Sequence, residues 1–174
     1  ISGARPLLLN RSLESLGSVR DLPLFQKVVV NIDLYQGSAE EQIECKDLIQ
    51  KFFLGRCVAL EINLSEIACF GRAVSRNWRA VVSPWCFHTE DDWIYDCEVW
   101  SNLSKAVEVA GQDVAQCVLN HANKNVPSTR HFHFNRIPRK LLGVLRIGSV
   151  ENLNSPIFST SPTLVRRDFA RGVA

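Results

Sequence analysis

Across residues 26–36 apolar and polar side chains alternate. Val28, Val30, Ile32 and Leu34 fall on one side, Asn31 and Asp33 on the other. A period of two predicts a half-buried strand, broken by Gly37 and Ser38. The period then changes. Ser38 suits a helix N-cap, Glu40 and Glu41 follow in the first turn, and Leu48, Ile49, Phe52 and Phe53 recur at helical spacing. A helix is expected over 40–53, ended by Gly55. Over 56–69 the period returns to two, with Val58, Leu60, Ile62 and Leu64 alternating with Ala59, Glu61 and Asn63, a second strand. Further strands are expected at 78–83, 93–100, 103–110, 131–134 and 141–150, while 114–119 fits helix and strand templates equally. Residues 1–24 carry scattered leucines among Gly3, Pro6, Gly17 and Pro23 without a sustained period, and read as an arm. From Asn152 the chain turns to Ser, Thr, Asn and Pro and ends among arginines, a composition expected of a mobile tail.

Seven or eight short strands with one helix between the first two favour a sandwich or barrel over a layered α/β fold. The expectation is an all-β chain: a single eight-stranded antiparallel jelly-roll β-sandwich with one or two short helices. An N-terminal arm (1–24) would precede the jelly-roll domain (25–158) and a basic C-terminal tail (159–174) would follow it. An immunoglobulin-type sandwich is the alternative, but no Cys…Trp…Cys core is convincingly placed.

With 174 residues, 46% hydrophobic and 22% charged, one ordinary globular domain is expected. No apolar run is long enough to span a bilayer. The Leu7-Leu8-Leu9 run stops at Asn10 and Arg11, so no signal-peptide pattern and no membrane partner are expected. The sequence has no methionine and begins at Ile1, which suggests a piece cut from a longer translation product. Six cysteines occur without a C-x-x-C pair, which fits free thiols in a reducing compartment. The sequons at Asn10, Asn63 and Asn102 are read as chance. Charge is lopsided. Residues 1–121 hold 11 Lys/Arg against 16 Asp/Glu, and 122–174 hold 9 Lys/Arg against Glu151 and Asp168 alone. Such asymmetry suggests that one end meets phosphate or an acidic partner.

Candidate chemistry is sparse. His131 and His133 would share a strand face, as a metal pair must, but no carboxylate follows until Glu151; two imidazoles on a polar strand face are the plainer reading. Cys86 and His88 lie two apart, without a glycine turn to build an oxyanion hole. Glu90, Asp91 and Asp92, with Asp96 and Glu98, could offer oxygen ligands to a divalent cation. They lack the spacing of a calcium loop and read as a solvated loop. Trp78, Trp85, Trp93 and Trp100 read as core or interface anchors. Arg136, Arg139, Lys140, Arg146, Arg166, Arg167 and Arg171 could neutralise phosphates without reading bases, or pair with a neighbouring subunit. No catalytic residue, metal or cofactor is expected.

Four stretches carry a likeness to a known family. They are the strand at 28–37 with its glycine-ended loop, the helix running through Gly55 into Leu60, the Arg76-Asn77-Trp78 entry to an apolar strand, and 145–156 leading to an Arg-bearing tail. In these the chain resembles the small jelly-roll coat proteins of plant picorna-like viruses (comovirus and cheravirus relatives). That resemblance implies a polyprotein-derived capsid subunit of an icosahedral virion, a structural protein and no enzyme. Its partners would be sibling coat subunits and non-specifically packaged RNA, with Arg136, Arg139, Lys140, Arg166, Arg167 and Arg171 as RNA or inter-subunit contacts. A carbohydrate- or ligand-binding jelly roll and a cupin-like metal protein are the alternatives.

Overall fold

Ser38 does cap a helix. Its side chain accepts from the Glu41 backbone N–H at 3.2 Å, and the Glu41 carboxylate accepts from the Ser38 N–H at 2.8 Å. This reciprocal pair closes the first turn of a helix at Ala39–Phe53. In the computed structural model, which describes residues 1–110, 114–118, 132–134 and 162–174, that helix is α2. It lies between β1 (Phe25–Asp33) and β2 (Cys57–Ser65), which run parallel, Phe25 opposite Cys57 and Asp33 opposite Ser65. Parallel neighbours need a crossover, and α2 supplies it.

The first helix, α1 (Pro6–Gly17), occupies the expected arm. Pro6 starts it, and Leu9, Leu13 and Leu16 line its buried side. Leu9 and Leu13 join Ile32, Cys45, Ile49 and Phe53 in one apolar cluster, with Val28, Val30, Leu60 and Ile62 packed against it. The expected inward face of β1 is thus confirmed, covered by α1 and α2.

Beyond β2 the chain departs from expectation. The segment Phe70–Arg79 forms α3, and Trp78, expected to open a strand, closes that helix instead. A short strand, β3 (Trp85–His88), follows. The strands expected at 93–100 and 103–110 are replaced by turns and by α4 (Val99–Ala110). The ambiguous stretch becomes β4 (Val114–Val118), and β5 (Phe132–Phe134) falls where a strand was expected. The strand expected at 141–150 lies outside the described residues.

The end of the chain is built in. Thr163–Arg166 forms β6, hydrogen-bonded between β3 and β4 in a four-stranded sheet of order β3-β6-β4-β5, and Arg167–Val173 forms a final helix, α5. Thr163 and Val165 are fully buried. These four strands pair antiparallel where β1 and β2 pair parallel. The molecule is therefore mixed α/β, and the all-β jelly roll is overturned. Alternation in β-branched segments was read as strand where helical burial won.

Candidate functional site

In open α/β sheets ligands bind beyond the carboxyl ends of the strands, so the chemistry at those ends matters most. The carboxyl ends of β1 and β3 lie on either side of the dipeptide Ile1–Ser2. Ser2 N–H donates to Asn31 C=O and Asp33 N–H donates to Ser2 C=O, each at 2.9 Å. On the other side, the Ile1 amino group donates to Thr89 C=O at 2.9 Å. That amino group is buried and held below its ordinary pKa, first by desolvation, against the pull of Asp91, Glu90 and Asp33.

Asp91 anchors this corner. It is 2% exposed. Its carboxylate accepts from Ser2 Oγ at 2.9 Å and Gly3 N–H at 2.8 Å, and forms an ion pair with Arg5. Burial opposes the Arg5 charge, but the hydrogen bond and the field of Asp91 outweigh it and raise the pKa. Asp92 is different: its Oδ2 stands 3.9 Å from the same guanidinium, with its side chain 45% exposed. The acidic run read as a solvated loop is thus one locked carboxylate beside one open one.

A second buried carboxylate, Asp33, ends β1. It accepts from Asn31 Nδ2 and from the Cys69 N–H at 3.2 Å, and Asn31 Oδ1 in turn accepts from Arg76 Nη1 at 3.3 Å. The loop holding Gly3 is tight as well. Ala4 is buried in the left-handed region at φ 54°, and a Cβ on Gly37 would stand 2.1 Å from Ala4 C=O. Only glycine fits at 37 with that loop in place. Non-glycine residues held left-handed mark segments fixed by their surroundings.

Below this corner an apolar cavity of ≈ 570 Å³ opens between β1 and β3, walled among others by Val28, Val30, Trp78, Phe87 and Trp100. His88 and Asn77 also line it. Trp78 Nε1 donates to His88 Nδ1 at 3.1 Å, so the neutral ring carries its proton on Nε2. Among the described residues that Nε2 and Asn77 Oδ1 are buried without a hydrogen-bond partner. Desolvation, then the nearby Ile1 ammonium, push His88 down to about 3.

The expected sites fare as follows. Cys86 is a half-buried residue whose thiol desolvation pushes up to about 11, no nucleophile at neutral pH. His131 lies outside the described residues, as do Arg136, Arg139, Lys140 and Arg146, and His133 sits on β5. Arg166 pairs with Asp168 at 2.7 Å, Arg167 donates to Val82 C=O at 2.8 Å and Arg171 to Val81 C=O at 2.7 Å. The guanidinium groups of Arg167 and Arg171 thus hold the chain end to the body of the molecule, while the Arg166–Asp168 pair lies within that end. Asp33, Asn77 and Gly37 were not foreseen. Asp33 had a signal, since it ends a strand that a helix follows.

No family model and no curated protein matches the sequence. Among solved structures a likeness of fold is found. The chain is similar to the mannosyltransferase PcManGT from Pyrobaculum calidifontis, in complex with GDP-Man and Mn2+, at TM-score 0.59 and 16% identity, over 94% of this chain and 42% of that one. The chain thus spans under half the length of the enzyme it resembles.

This likeness, with the mixed α/β architecture, overturns the coat-protein resemblance. The capsid function, the virion as location and the view of a non-enzymatic building block all required a jelly roll, and the structure the chain resembles is an enzyme. The carbohydrate-binding and cupin-like alternatives, also β-sandwiches, gain no support.

Proposed function

We propose that the chain is the nucleotide-sugar-binding part of a glycosyltransferase, with the donor seated beyond the carboxyl ends of β1 and β3. The observation that carries this reading is the likeness to a GDP-mannose-bound mannosyltransferase over 94% of the chain. The corner described above supports it. Asp33 and Asp92 flank the ends of β1 and β3, and a carboxylate with an open oxygen is suited to accept hydrogen bonds from ribose or sugar hydroxyls. Asp91 acts as a positioning residue: by fixing Arg5, Ser2 and Gly3 it sets the crevice wall.

The neighbour's manganese raises the question of a metal. Among the described residues no three His, Cys, Asp or Glu side chains gather as a metal site, and the Asp91 carboxylate is already engaged by Arg5, Ser2 and Gly3. This donor set does not fit a resident ion, and none is assigned a role.

Calorimetric titration with GDP-mannose and a panel of other nucleotide sugars tests the reading. Saturable binding of at least one donor is expected, weakened several-fold by Asp92→Asn with the circular dichroism spectrum unchanged. A folded protein that binds no member of the panel would overturn it.

A further inference from the structure

The two sheets face each other with open edges. β1 is bonded to β2 on one side and β3 to β6 on one side, and no described strand pairs with the other edge of either. Between those edges lies the apolar cavity, walled by six consecutive residues of β1, Phe25 to Val30, and by β3. Six residues of strand run about 20 Å at ~3.3 Å each. Open edges facing an apolar slot are a template for strand addition.

One end of the slot is already filled in strand fashion. Ser2 bridges to Ile32 in the parallel sense, accepting from Asp33 and donating to Asn31, while Ile1 reaches across to Thr89. The Asn31 carbonyl and the Asp33 amide therefore point away from β2. By the two-residue period, the Val29 carbonyl and the Asn31 amide point the same way, into the slot. A chain continuing backward from Ile1 in the same direction would meet those groups next. Cavity walls of Val28, Val30, Phe87 and Trp85 select apolar side chains for it.

We propose that this slot is a strand acceptor whose occupant is an extended apolar segment joined covalently to Ile1, parallel to β1, which unites the two sheets into one. It converts the buried Ile1 amino group into an ordinary strand amide bonded to Thr89. The inference rests on the strand edges and the cavity alone and is independent of the nucleotide-sugar reading.

The test extends the 174-residue chain at Ile1 by about six residues of alternating Val, Ile and Thr, and compares it with an equal Gly/Ser extension. A third arm adds the apolar peptide in trans to the unextended chain. The apolar extension should raise the melting temperature by several degrees over the Gly/Ser one. It should also slow hydrogen exchange at the Asn31 amide and the β3 amides by about tenfold or more. Equal melting and exchange for the two extensions would overturn the proposal. So would a free peptide that reproduces both effects at stoichiometric concentration, since the acceptor would then serve a separate chain.

Discussion

His88 shows how one buried ring sets a pH limit on the whole fold. The folded state keeps it neutral, since it is walled off from water and receives the Trp78 indole N–H, with its pKa pushed down to about 3. The unfolded chain takes up that proton near the ordinary histidine value of ~6.5. The contribution of neutral His88 is therefore fully present above about pH 6.5 and is lost as pH falls through the interval toward 3, at a slope approaching 1.4 kcal/mol per pH unit at most. Denaturant unfolding followed from pH 7 to pH 4 should show this loss. His88→Gln, which keeps an acceptor for Trp78, should flatten it. An unchanged slope in that variant would place the acid sensitivity in the carboxylates instead.

At the scale of elements, local signals were read well wherever chain-local chemistry decides. The Ser38 and Glu41 pair was legible because a capping box is written in four residues. Replacing Ser38 with alanine removes an acceptor for the Glu41 amide, and should cost about 1 kcal/mol in chemical denaturation with little change in the folded spectrum. The longer stretch around it, from Phe25 to Ser65, carries a further signal. A strand, a capped helix and a second strand form a parallel unit by the crossover rule, and that alone argues for α/β layers. Helices α3 and α4 were missed for a different reason. Trp100, Leu103 and Val107 recur at helical spacing and pack on one cluster, yet Leu103 to Ala110 also satisfies a strand template. Tertiary burial chose between them. In α1, exposed Leu7 and Leu8 masked the stripe of Leu9, Leu13 and Leu16. The strand β6 is four residues long, too short for any period to register, and its central place depends on β3 and β4 closing over it. Of the candidate site, the acidic run was visible, but the partners that lock Asp91 lie 86 to 89 residues away, beyond any spacing rule.

For the molecule as a whole, the join between the two sheets is its most exposed dependency. Through the described strands, β1 and β2 share no ladder with β3, β6, β4 and β5. What spans them at the carboxyl end is Ile1–Ser2, three backbone hydrogen bonds and the Asp91 clamp. Ser2 is 1% exposed, so water cannot replace a bond lost there. Ser2→Pro removes both the amide that reaches Asn31 and the hydroxyl that reaches Asp91; the Asn31 carbonyl loses the Ser2 donor, while Asp91 keeps Gly3 and Arg5. Ser2→Ala removes the hydroxyl alone. The proline variant should lose on the order of 2–3 kcal/mol more than the alanine variant. The Asp33 amide, which reports the bridge directly, should exchange faster in the proline variant. If the two variants unfold alike and that amide stays protected, the bridge carries no stability, and the two sheets must be held by the packing of Phe25 on Trp100 and its neighbours rather than by the chain that runs between them.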